Sequence, residues 1–195
     1  MRGATPASIG SAPPGAAVTL YSIGHSNHPL DEFVALLEAH AVRGIADVRA
    51  FPSSRRWPHF NREPLAQALA ARDIAYDWIP RLGGRRHRSR PDSPHVAWTV
   101  EAFRNYADYT ETAEFAEGLE QLLAAAGSRP TAFMCAEALY WQCHRRLIAD
   151  QLVVRGCGVR HIQSPRRAAE HQLPNFARVV DGRVIYDKGA QLEML

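Results

Sequence analysis

Lysine is nearly missing from this chain. Of 23 basic residues, Lys188 is the one lysine and the other 22 are arginines. A GC-rich genome explains such a bias, and arginine also suits planar, bidentate recognition of phosphate and carboxylate. Cysteine is scarce as well: Cys135, Cys143 and Cys157. A sparse, odd set argues against a secreted disulfide framework and leaves reduced thiols or a reactive site. No apolar run approaches the ~20 residues that cross a bilayer, so no membrane partner is expected. The first 17 residues lack the apolar stretch of a secretory signal, and their Ala, Gly, Pro and Ser content predicts a flexible tail over 1–17. A cytoplasmic protein is the resulting expectation. Internal repeats are absent, as are the G-x-G-x-x-G and Walker spacings. The net charge of +3 is low for a dedicated nucleic-acid binder.

What is present is an ordinary globular mix, 46% hydrophobic and 22% charged. One domain is expected over 18–195. Short β-rich runs alternate with helical periodicity. "VTLYSIG", "GIADVRA", "IAYDWIP", "PTAFMCAE" and "VRHIQ" read as five strands. Between them, Leu30, Phe33, Val34 and Leu37 follow helical spacing, Leu65 and Leu69 mark a second helix, and Thr99 is placed to cap a third. Phe115, Leu119 and Leu122 mark a fourth, and Leu147, Ile148 and Leu152 a fifth that stops near Gly156. Asp181-Gly182 between β-rich runs signals a type I′ hairpin. The pattern predicts an α/β layered fold, a mainly parallel sheet of about five strands flanked by helices, with a C-terminal β-hairpin.

In open α/β sheets ligands lie beyond the carboxyl ends of the strands, and that edge collects the polar residues here. The first strand ends in Gly24, His25 and Ser26, where backbone N–H groups at a helix start favour an anion. The second ends in Asp47 and Arg49, two apart and so on one side, followed by Ser53, Ser54, Arg55 and Arg56. Gly83 and Gly84 permit close backbone approach, in a segment with five arginines between 81 and 90. The fourth strand ends at Cys135, with Glu137 two residues on. Cys143, His144 and Arg145 then open the next helix. A cysteine in a first helical turn beside Arg and His is where a thiolate is stabilised. The eight-residue spacing of Cys135 and Cys143 differs from the C-x₂₋₄-C of structural zinc, so no metal ligand is assigned. Position 141 is Trp rather than Arg, which disfavours a phosphatase-type C-x₅-R loop from Cys135.

Together these stretches resemble the prokaryotic domain of unknown function 488 family (DUF488), over about 21–162. The motifs that carry the likeness are the GHS turn, the DVR…P-x-SR stretch, the LGG loop and the CAE…CHR pair, in that order. The resemblance implies a compact α/β layer and no established activity, although some members carry a label linking them to DNA repair. The motif positions it implies are Gly24, His25, Ser26, Asp47, Arg49, Pro52, Ser54, Arg55, Gly83, Gly84, Cys135, Glu137, Cys143, His144 and Arg145.

The functional expectation is an anionic ligand, phosphate-bearing and nucleotide-like, bound at this edge. Gly24, His25, Ser26, Asp47, Arg49, Ser54, Arg55, Gly83, Gly84 and Arg145 would bind it, with Cys135, Glu137, Cys143 and His144 as candidate catalytic groups. No cofactor is specified. The rival expectations are a non-catalytic nucleic-acid-binding module, using the 81–90 loop and Trp57, Trp78 and Trp98, and a cysteine-based metal or redox site.

Overall fold

The computed structural model describes residues 18–86 and 90–187; the tail expected over 1–17 lies outside the described residues. The chain runs β1 (Thr19–Gly24), α1 (Leu30–Ala39), β2 (Gly44–Asp47), α2 (Arg62–Ala70), β3 (Ala75–Trp78), α3 (Glu101–Tyr109), α4 (Ala113–Ser128) and β4 (Thr131–Cys135). It continues through α5 (Arg145–Val154), β5 (Gly158–Ser164), β6 (Arg167–Glu170), β7 (Ala177–Val180) and β8 (Arg183–Tyr186). Strands β1 to β5 are parallel in the order β3-β2-β4-β1-β5, and β6 adds an antiparallel edge.

The apolar patterns account for the layers. Every residue of β4 is buried, as expected of a strand covered on both faces. Ala132 and Met134 pack with Phe33, Val34 and Leu37 of α1 and Leu65 and Leu69 of α2. Phe133 and Cys135, pointing the other way, pack with Tyr106 of α3, Phe115, Leu119 and Leu122 of α4, and Leu147, Ile148 and Leu152 of α5. Helix α4 is capped where the Thr112 hydroxyl oxygen accepts the Phe115 N–H at 3.2 Å. Helix α5 ends at Gly156 with φ +82°. Chain leaves the adjacent ends of β1 and β4 toward helices on opposite faces. That arrangement opens a crevice at Gly24 and Cys135, which are paired in register.

The five parallel strands and the hairpin agree with the sequence reading. Asp181 and Gly182 both have positive φ (50° and 75°), as a type I′ turn demands. Two details differ. A sixth strand, β6, is added by a tight turn at Pro165 and Arg166. Its sequence Arg167–Glu170 is polar and partly exposed, and so carries no apolar alternation to read. Helix α3 begins at Glu101 after Val100, two residues past Thr99, and no side chain caps it.

Candidate active site

A cavity of about 1320 Å³ sits on the crevice, walled by the loops after β1, β2, β3 and β4 and by one face of α3. Its floor is built from Cys135, Cys143 and His144. Cys135 is 8% exposed at the end of β4, and Cys143 is 3% exposed. Cys143 is extended (φ −132°, ψ 148°) and precedes α5, so it lies just outside the first helical turn expected for it.

His144 faces both sulfurs through Nδ1, at 3.6 Å from Cys143 Sγ and 3.9 Å from Cys135 Sγ. Its Nε2 lies 3.0 Å from the Val48 carbonyl oxygen, which only accepts, so Nε2 carries the proton. Nδ1 is thereby left to exchange a proton with sulfur. A Cβ on Gly84 would stand against this Nδ1, and only glycine there leaves the ring its place.

Arg145 lies under the thiols, 1% exposed. Its Nε donates to Cys143 Sγ at 3.4 Å and its Nη1 to the Ser22 hydroxyl at 3.1 Å. Its Nη2 donates to the carbonyls of Glu137 and Ala138. Gly24 makes room for this: a Cβ there would collide with the Glu137 carbonyl and the Arg145 guanidinium. Among the described residues no carboxylate forms an ion pair with Arg145. Burial pushes the Cys143 thiol up, but the Cys135 S–H, the His144 ring and Arg145 outweigh it and hold Cys143 well below its ordinary value. Cys135 moves well above its ordinary value, first through its hydrogen bond with Cys143 and then through burial. Cys157, half-buried and away from this cluster, is raised by burial.

A second buried group lines the wall. Arg49 donates through Nε to Asp47 Oδ1 at 2.8 Å and through Nη2 to the Phe60 carbonyl at 2.8 Å. The Tyr76 hydroxyl donates to the same carboxylate at 2.6 Å. Arg49 Nη1 also donates to His25 Nε2 at 3.2 Å, while His25 Nδ1 donates to the Ser26 carbonyl at 3.0 Å. Burial, then the Arg49 charge, lowers His25 to about 4, so it is neutral near pH 7.

The sequence-derived residues, Arg55 apart, therefore fall into two sets. His25, Ser26, Arg49, Ser54, Gly84, Cys135, Glu137, Cys143 and His144 line the cavity. Gly24, Asp47, Gly83 and Arg145 stand behind them as supports, Gly83 packing closely on Ala50. Arg55 is exposed and outside the lining; its neighbour Arg56 takes the rim, over the Trp57 ring at 5.3 Å. The expected backbone anion cradle at 24–26 is not free: His25 N–H and Ser26 N–H are bonded to the carbonyls of Cys135 and Ala136, both at 2.9 Å. Glu137 is exposed at the mouth. In the 81–90 segment, Arg81 pairs with Glu117, Arg86 lies over Tyr109 at 3.5 Å and Arg90 pairs with Glu111. Trp98 is buried, stacked on Phe103, rather than offered to a ligand.

Sequence reasoning missed Ser22, Phe51, Arg85 and Tyr106. Ser22 had a signal, a hydroxyl inside a buried strand two residues before Gly24 and so on the same side. Phe51 and Tyr106 had none, and Arg85 was read as one of the five arginines of the 81–90 segment without being singled out. Cys135, Cys143 and His144 also place three donor atoms within 4.8 Å of one another, a set able to hold a metal ion. No described helix is long and apolar enough to cross a membrane.

No curated protein and no solved structure matches the chain. The family described as "Domain of unknown function DUF488" matches residues 29–152, more than half of the sequence and both cysteines of the floor. The GHS turn precedes that span. The chain belongs to the DUF488 family.

Proposed function

We propose that the cavity is a thiol active site in which Cys143 attacks an electrophilic carbon of a small anionic molecule, phosphate-bearing and nucleotide-like. The observation that carries this reading is Arg145, a guanidinium that is 1% exposed and has no carboxylate partner among the described residues. A guanidinium does not deprotonate in a protein, and a buried charge without a counterion is costly. The Cys143 thiolate, at 3.4 Å, is that counterion. An imidazole with its far nitrogen fixed completes a nucleophile–base pair.

His144 Nδ1 first takes the Cys143 thiol proton; the S–C bond then forms as the leaving group departs with its electron pair and receives that proton. Water then attacks the same carbon, His144 takes its proton, and the S–C electrons return to Cys143 as thiolate. Glu137 presents its carboxylate at the mouth as a second acid–base group. The ligand's anionic part is held at the rim by Arg56 and Arg85, which are exposed and lie over Trp57 and Phe51. Arg49 and Arg145 are already engaged and position other groups instead.

Alkylation tests the thiolate. At pH 6 an ordinary thiol is only about 0.3% ionised, so Cys143 should react with iodoacetamide at least ~10-fold faster than Cys157. Equal labelling of the two would sink the proposal. Nucleoside monophosphates should slow the labelling, and less so in Arg56→Gln or Arg85→Gln protein. A second reading rests on the three donors within 4.8 Å, a soft set suited to zinc. Stoichiometric metal in protein purified without an affinity tag would favour it over the nucleophile. A nucleic-acid module without catalysis is the weaker reading, because Arg81, Arg86 and Arg90 of the 81–90 segment lie against the protein's own Glu117, Tyr109 and Glu111.

A further inference from the structure

We infer that Cys143 and Cys135 act together as a hydroperoxide-reducing pair, Cys143 taking the oxygen and Cys135 resolving it as a disulfide. This rests on the thiolate reading above and adds a second partner and a second reaction to the same floor. The two sulfurs and His144 Nδ1 lie within 4.8 Å of one another, and both cysteines line the cavity. At 3% and 8% exposure they meet reactants through the cavity. Among the described residues Cys157 belongs to no such cluster.

The chemistry closes on residues already in place. Cys143 Sγ attacks the outer oxygen of the hydroperoxide, the O–O bond breaks, and the departing alkoxide or hydroxide takes the His144 proton. Cys143 is now a sulfenic acid. Cys135 sulfur then attacks Cys143 Sγ; the S–S bond forms, the S–O bond breaks, and the Cys135 proton leaves with the hydroxyl as water. Two electrons pass from the sulfur pair to the peroxide, and an external thiol reductant returns them. Cys143 lies in extended backbone rather than in a helix, so its χ1 can swing sulfur toward Cys135 without the helical rotamer restriction.

Arg145 gives this disulfide a particular character. Oxidation removes the thiolate charge and leaves the buried guanidinium without its counterion, which favours the reduced form. The bond is therefore readily reduced, a reversible state and not a structural crosslink.

The test is intact-mass and peptide mass spectrometry of the full chain treated with hydrogen peroxide. Expected is a mass loss of two hydrogens, a peptide linking Cys135 to Cys143, formation at least ~10-fold faster than oxidation of Cys157, and full reversal by glutathione. In Cys135→Ser protein Cys143 should instead stop at sulfenic acid or advance to sulfinic acid. Cys143 gaining oxygens in the wild type with no linked peptide overturns the role of Cys135 while leaving the thiolate standing. Cys143 untouched by peroxide yet alkylated selectively at pH 6 overturns the peroxide reaction alone. Loss of both overturns both readings. A linked peptide that glutathione does not reduce contradicts the role given to Arg145.

Discussion

Helix α5 carries two polar clusters built from similar parts, and they differ in what they face. At its start, His144 looks across the two sulfurs into the cavity. In its middle, Asp150 accepts from His171 Nε2 and from the Tyr186 hydroxyl, both at 2.7 Å. With its proton on Nε2, His171 accepts at Nδ1 from His161 Nε2 at 2.9 Å. His161 Nδ1 is left with a buried lone pair that has no partner among the described residues, and the ring lies flat on Tyr140 at 3.5 Å. Asp150, His161, His171 and Tyr186 are all buried. The tautomers are fixed in both clusters by the same logic, an acceptor-only group at one ring nitrogen. One chain of protons ends at a pair of sulfurs beside a cavity; the other is sealed. The lesson is that a charge relay is chemistry only where a reactant can reach its end. Elsewhere it is a fastener, here tying α5 to the hairpin and to the segment after β6.

The clusters also meet. Tyr140 stacks on His161 and belongs to the 136–142 segment, whose Glu137 and Ala138 carbonyls receive Arg145. The sharpest way to separate the two is to cut each at its charged member. Arg145→Met leaves the Ser22 hydroxyl and two carbonyls without their donor and removes the support of the thiolate. A loss of about 3–5 kcal/mol of stability is expected from breaking so buried a set, together with loss of the fast alkylation of Cys143 at pH 6. Urea unfolding and labelling rates measure both. Unchanged labelling would show that Arg145 does not set the thiolate.

Asp150→Asn should do less and in one respect only. Its amide turns a donor toward a donor, costing about 1–3 kcal/mol. Labelling of Cys143 in the folded protein should stay within about twofold, because Asp150 holds His171 and Tyr186 rather than either thiol. If labelling falls as far as in Arg145→Met, the sealed cluster is part of the site and the distinction fails.

How far the sequence could see follows the same line. Helical spacing at Phe33, Val34 and Leu37 and the turn at Asp181-Gly182 are local signals, and both elements form as read. Strand ends likewise placed Cys135, Glu137, Cys143 and His144 around one opening. Partners were not legible. Arg49 and Arg145 read as ligand-binding cations; spacing put Asp47 beside Arg49, but residue type alone does not tell that the Cys143 sulfur meets Arg145. The choice of Arg56 over Arg55 is set by an irregular turn without periodicity. Asp150 and His161 precede His171 by 21 and 10 residues and carry no motif; the order of β5, β6 and α5 unites them.

The smallest expected effect is a pH dependence, and it too compares the clusters. Burial and Arg49 lower His25 to about 4, and burial and His171 lower His161 to about 3. Each ring is neutral in the folded chain and takes a proton near 6.5 when unfolded, so between these values the unfolded chain binds more protons. Stability therefore holds above pH 6.5 and falls as the pH drops toward 4 from His25 and on toward 3 from His161. Urea midpoints should shift downward from pH 7 to pH 4.5. Histidine NMR signals should show neither ring titrating between pH 5 and 7. His25, beside the cavity, can be moved by a bound anion, which would favour its charged form and raise its midpoint. His161, sealed behind Tyr140, should not respond to phosphate at all. A His161 midpoint above 6, or one that follows phosphate, would show that the second cluster is open and would make it a second proton path to the thiols.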